Sequence, residues 1–266
     1  MANNPFEVEA IPRRVMPLIF MVDTSGSMGG AKIAALNTAV RESLNEVGEI
    51  SKNNSDAQIK VGALEFSSDT QWMYPQLEDS ESFQWQDLQA AGLTSFGAAL
   101  NELNNKLSKS HGFMSEPAGM RAPAIILLSD GEPTDEYEHA LEKIKGNPWY
   151  KIAVKVAIAI GDDANNDVLA KFTGNIESVI TVHNVDQLKK IIRVVSVTSS
   201  MVASQSSSVG TSQTTEGTTP VLADPNDQVV ESIQNTISSD SSLAGVDQGA
   251  STANADTDDW GSWGKQ

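Results

Sequence analysis

Apolar and polar residues alternate along this chain in two periods. Residues 15–22 (Val-Met-Pro-Leu-Ile-Phe-Met-Val) form a short apolar run between polar neighbours. That length suits a strand buried on both faces of a parallel sheet, and Pro17 lies near its start, where a strand tolerates proline. In residues 32–50, Ile33, Leu36, Val40, Leu44 and Val47 recur at spacings of three and four, the stripe of an amphipathic helix. The pattern then predicts a strand over 58–66, a short antiparallel edge strand over 70–74, and a loop with a helical turn over 83–93. A helix over 96–107 carries Leu100, Leu103 and Leu107 on one face. Further on come strands over 124–129, 151–160 and 178–182, and helices over 135–145, 165–172 and 185–197. Alternating strands and helices imply an α/β fold, a doubly wound and mostly parallel six-stranded sheet with one antiparallel edge strand and helices on both faces.

The pattern fades beyond residue 198. Ser, Thr, Gln, Gly and Asp dominate from there, so the expected organisation is an extension over 1–13, a domain over 14–198 and a tail over 199–266. Such a tail buries too little apolar surface to offset its ordering entropy, and disorder is expected. One stretch differs. Asp224-Pro225-Asn226-Asp227 has the chemistry of a helix start, and Val229, Val230, Ile233 and Ile237 then share a helical face. Residues 225–239 read as a short helix, either docked on something or marginal alone. Trp260 and Trp263 are either a recognition peptide or without a role.

Charge narrows the partners. The net charge is −17, and beyond Ser200 nine acids face one lysine. A surface this negative repels phosphate backbones, so nucleic acid is not an expected partner. Cysteine is absent, which removes disulfide and thiolate chemistry. The first ten residues contain Glu7 and Glu9 and no basic stretch, unlike a signal peptide. The longest apolar run is far below the roughly 20 residues a membrane helix needs. A soluble, cytoplasmic, monomeric domain is the expectation.

Candidate chemistry sits where two apolar strands end in aspartate. Val22 is followed by Asp23-Thr-Ser25-Gly-Ser27, and Ser129 by Asp130-Gly131-Glu132. In open α/β sheets the crevice beyond the carboxyl ends of the strands is where ligands bind. Neighbouring strands would bring Asp23 and Asp130 to one ion, and Ser25 and Ser27 lie close enough in a turn to converge on it. Every donor is oxygen, which suits Mg2+, with Mn2+ or Ca2+ as alternatives. Singly, these residues would read as helix caps and turn formers; the joint pattern is what points to a metal.

Asp23-x-Ser25-x-Ser27, then Gly92-Leu93-Thr94 before a helix, then Asp130-Gly131 after an apolar strand, resembles the metal-ion-dependent adhesion site of von Willebrand factor A (VWA) domains. The resemblance covers about residues 14–197, and the opening, Arg13-Arg14 and a strand into Asp-x-Ser-x-Ser-Met, is most similar to the bacterial tellurite-resistance, TerY-type branch. It implies a Rossmann-like fold and a metal held at Asp23, Ser25, Ser27, Thr94 and Asp130. The serines would bind directly, Thr94 directly or through water, and the aspartates mainly through water. It also implies a non-catalytic role: capture of an Asp or Glu on a partner protein, in stress-response or phospho-signalling assemblies with a protein kinase and a phosphatase.

Enzyme readings fit less well. A haloacid-dehalogenase-type phosphatase would carry a second aspartate where Ser25 stands, and a serine nucleophile elbow needs glycine at that position. Residues 26–30 lack the Lys-Ser/Thr of a phosphate-binding loop. His111, His139 and His183 read as surface or capping residues, and Glu132 and Asp135 as rim acids and a helix start. A metal-dependent hydrolase and a chelatase-like scaffold working with an AAA+ ATPase remain the alternatives.

Overall fold

The first apolar run becomes the centre of a sheet because both of its faces are apolar. In the computed structural model the described residues are 13–110, 112–115, 119–130, 132–162, 164–205 and 224–249. In chain order they form β1 (Arg14–Asp23), α1 (Ala31–Asn53), β2 (Ala57–Phe66), β3 (Thr70–Trp72), β4 (Glu78–Asp79), α2 (Phe96–Lys106) and β5 (Ala124–Ser129). There follow α3 (Glu138–Lys145), α4 (Pro148–Ile152), β6 (Val154–Ile160), α5 (Asn166–Thr173), β7 (Val179–Val182), α6 (Val185–Gln205), α7 (Pro225–Ser239) and β8 (Asp247–Gln248). Successive side chains of a strand point to opposite faces. Accordingly Met16, Leu18, Phe20 and Val22 join one core layer, and Ile19 and Met21 the other.

The strand order is β3-β2-β1-β5-β6-β7-β8, with β4 also paired to β2. β1, β2, β5, β6 and β7 are mutually parallel along this order. β3 and β4 run antiparallel to β2, and β8 antiparallel to β7. Leu36, Val40, Leu44 and Val47 of α1 and Leu188, Ile191, Ile192 and Val195 of α6 cover one face. Helices α2, α3 and α5 cover the other through residues such as Leu100, Leu103, Leu141, Ile144, Leu169 and Phe172. The chain leaves β1 for β2 on one side and later returns to β5 on the other. The strand order therefore reverses between β1 and β5, which is where a doubly wound sheet opens its binding crevice. No helix among the described residues is long and apolar enough to cross a membrane.

The α/β class, the parallel centre and the two helical layers follow the sequence expectation. The sheet is wider than six strands, because β4 and β8 each add two residues that carry no readable period. β6 begins at Val154 rather than 151, since Asn147 caps a short helix at Pro148 by accepting the Trp149 N–H. Helix α6 runs through Gln205, past the expected domain end at 198, with Ser199, Ser200 and Ala203 buried.

Within the tail, the helix read at 225–239 is present as α7, and ordered structure continues from it to residue 249. Asp224 accepts the Asn226 N–H and starts α7, whose Val229, Val230 and Ile233 are buried. Asn226 Oδ1 accepts the Lys155 N–H at 2.8 Å, Gln187 Nε2 donates to Ala244 O at 3.0 Å, and the Gly249 N–H donates to Val179 O at 3.1 Å. The helix is marginal alone, but here its apolar stripe meets α6 and β6, and backbone groups at the sheet edge gain partners. The expectations for residues 1–12, 206–223 and 250–266, Trp260 and Trp263 included, fall outside the described residues.

Candidate metal centre

Register brings the two aspartates to one place. Val22 pairs with Leu128 across the β1–β5 ladder, so Asp23 and Ser129 are neighbours and Asp130 follows. Asp23 is fully buried; its Oδ1 accepts the Ser25 N–H at 2.8 Å and its Oδ2 accepts the Ser129 hydroxyl at 2.7 Å. Burial raises the Asp23 pKa above the usual 3.8; the Ser129 and Ser25 hydrogen bonds pull it down and the Asp130 charge pushes it up. Asp130 is buried as well. Its Oδ2 lies 3.8 Å from Lys32 Nζ, and its Oδ1 is shielded from water without a hydrogen-bond partner.

Ser25 Oγ and Ser27 Oγ are 3.0 Å apart, so the first loop turns both hydroxyls to one spot. Ser25 is buried and Ser27 exposed, which leaves that spot open to solvent on one side. The second loop is stitched to the first by backbone: the Gly26 N–H donates to Gly92 O at 3.1 Å and the Ala91 N–H to Thr24 O at 2.8 Å. Thr94, also buried, ties the second loop to the third. Its N–H donates to Thr134 Oγ1 at 3.0 Å, and the Thr134 N–H returns to Thr94 O at 2.9 Å. All five sequence-derived residues thus stand on three loops that are bonded together at one strand-end crevice.

This arrangement tests the fit of a cation directly. Two buried like charges raise each other's cost, and an ionised oxygen without a donor is expensive in a low-dielectric site. One lysine at 3.8 Å offsets part of that charge. A divalent ion among these carboxylates and hydroxyls would offset the rest, and the residues present fit it.

The model of the von Willebrand factor type A domain matches residues 18–194. The chain belongs to this family. The matched span contains the five site residues and ends inside α6, so α7 and β8 lie beyond it. The VWA domain is 27% identical over 182 residues to the human collagen alpha-6(VI) chain, covering 65% of this chain and 7% of that protein. The proximal thread matrix protein 1 of the mussel byssus, with a zinc-occupied MIDAS motif, superposes with a TM-score of 0.53 at 18% identity, over 70% of this chain and 48% of that one. The pilus adhesin SpaC of Lactobacillus rhamnosus GG gives a TM-score of 0.56 at 14% identity, over 71% and 30%. This chain therefore spans less than half the length of each of these proteins, and the two structures speak for the fold alone.

Three VWA-domain residues around the crevice, Ser129, Lys32 and Thr134, escaped the sequence reading, and a fourth, Asp135, was given another role. Ser129 carried one signal, a hydroxyl at the last position of an apolar strand. Lys32 lies two residues into the α1 region, and Thr134 four residues past Asp130, with nothing local to mark either. Asp135 was expected to start the next helix; instead α3 begins at Glu138, and Asp135 caps α2, accepting the Gly97 N–H at 3.0 Å and the Ala98 N–H at 3.1 Å. A cap between segments so far apart in sequence has no periodicity to betray it.

Proposed function

We propose that this VWA domain is a non-catalytic, divalent-metal-dependent module that captures a carboxylate of a partner protein. The observation that carries this reading is the pair of buried carboxylates, Asp23 and Asp130, with one Asp130 oxygen left without a donor. Ser25, Ser27 and Thr94 would hold the ion with neutral oxygens, and Asp23 and Asp130 would act mainly through water. Ser129 and the Ser25 N–H fix the Asp23 carboxylate so that it need not reorganise. An all-oxygen donor set favours Mg2+, with Mn2+ or Ca2+ as alternatives. Zinc in the mussel protein's motif supports a divalent ion without choosing one. When bound, the ion supplies an electrophilic centre with a position for an outside Asp or Glu.

The setting we infer is a cytoplasmic bacterial stress-response or kinase/phosphatase signalling assembly, with the domain monomeric on its own. Its support is the similarity of the opening, Arg13-Arg14 to Asp23-x-Ser25-x-Ser27-Met28, to the tellurite-resistance branch. A hydrolase reading gains nothing from the described histidines: His139 is exposed on α3, and His183 is engaged on its two nitrogens by Asp162 and Asp247. Capture of partners from native extract by the immobilised chain, with Mg2+ and with EDTA, tests the reading. A kinase or phosphatase retained only with the ion is the expected result; equal capture in chelator would overturn it.

A further inference from the structure

The face around the crevice is chemically lopsided. Ser27, Gly29 and Gly30 from the first loop and Ala91 and Leu93 from the second are exposed and uncharged. The third loop adds the exposed acid Glu132, two residues past Asp130. Among the described residues the exposed large apolar side chains are Leu93, Ile152 and Met201, and Leu93, at 60% exposure, is the one beside a site residue, Thr94.

Leu93 is held outward by a rigid loop. Gly92 has φ +84°, and a Cβ there would come within 2.6 Å of Ser68 Oγ, so only glycine makes this approach. The Leu93 N–H donates to that same Oγ at 3.1 Å, the Ser95 N–H to Ser67 O at 2.8 Å, and Ser95 Oγ to Ser68 O at 3.2 Å. An exposed leucine whose backbone is held in this way beside the candidate ion site is a partly preorganised contact, because less loop freedom remains to be lost on binding. The charge of the chain sets a second condition. At −17 it repels an acid-rich surface and attracts a basic one, whatever the single acid at the centre does.

We propose that the captured Asp or Glu stands next to an apolar side chain that packs on Leu93, on a partner surface otherwise neutral or basic. This rests on the metal-dependent reading above and names the partner chemistry for it. The probes are three labelled twelve-residue peptides with one central Glu, measured by fluorescence anisotropy against the full chain in Mg2+ and in EDTA. The first has Leu beside the Glu and Lys among serines, the second replaces that Leu by Ser, and the third replaces each Lys by Asp.

The first peptide should bind about tenfold tighter than the second. Leu93→Ser should erase that difference while leaving Mg2+ affinity, read by calorimetry, unchanged. The third peptide should bind weakest, and added salt should weaken the first. Metal-dependent binding that ignores both the Leu and the Lys overturns this inference and leaves carboxylate capture standing. Equal binding in Mg2+ and EDTA by all three overturns capture itself, and this inference with it.

Discussion

Asp23 meets opposing demands. It is buried, which favours the neutral acid, yet a cation site needs it ionised. Burial outweighs the Ser129 and Ser25 hydrogen bonds, so the pKa in the folded, metal-free protein is raised above 3.8. The native state therefore holds a proton that the unfolded chain has released, and metal-free stability falls as pH rises through that window. Ion affinity has the opposite sign: it rises with pH through the same window, because the proton competes with the ion. Calorimetric titration of Mg2+ at a series of acidic pH values should find affinity falling off above the pH expected of an exposed aspartate. Asp23→Asn removes the charge and keeps the shape. At neutral pH it should leave metal-free unfolding stability equal or higher and abolish the thermal shift with Mg2+, about 2.7 kcal/mol at a hundredfold excess over Kd in the native protein. A Mg2+ shift that survives Asp23→Asn would remove Asp23 from the site.

At the scale of elements, the site is a junction of loops, and its geometry depends on helix ends as much as on strands. Asp135 accepts two N–H groups at the start of α2, directly after Thr94 and Ser95. Losing a helix cap costs about 1 kcal/mol. Asp135→Ala should lower stability to urea by that order and weaken Mg2+ binding, since the Thr94–Thr134 clasp sits beside the cap. Unchanged ion affinity would show the clasp to be self-sufficient. The same contrast explains what the sequence made legible. Asp23, Ser25, Ser27 and Asp130 lie at or just past the ends of apolar strands, so periodicity locates them, whereas Thr94 is reached only through the resemblance to the VWA pattern. Asp135 and Thr134 act across a gap of about 40 residues, where only the assembled sheet reveals the contact. β4 and β8 were invisible for a simpler reason: two residues define no alternation.

Over the whole molecule, the candidate metal site and the stability of the far edge are spatially separable, because the crevice draws on β1, β5 and the α2 loop while the far edge closes with α7 and β8. Ile233 and Val229 are buried in the layer formed with α6, and Ile237 packs beside them. They lie outside the matched family span of 18–194. An exposed β7 edge would offer unpaired backbone to other chains, and β8 with the Gly249 N–H to Val179 O bond covers it. Truncating a buried isoleucine to alanine typically costs about 2–5 kcal/mol. Ile233→Ala should therefore lower urea stability by that order and increase self-association, while the Mg2+-induced shift keeps its native size because α7 packs on α6 and β6. If the stability loss is small, α7 is held by its hydrogen bonds at Asn226 and Gln248 rather than by its apolar stripe. If the Mg2+ shift shrinks with it, the far edge and the crevice are coupled through β6 and β5, and this segment becomes part of how this domain sets its affinity.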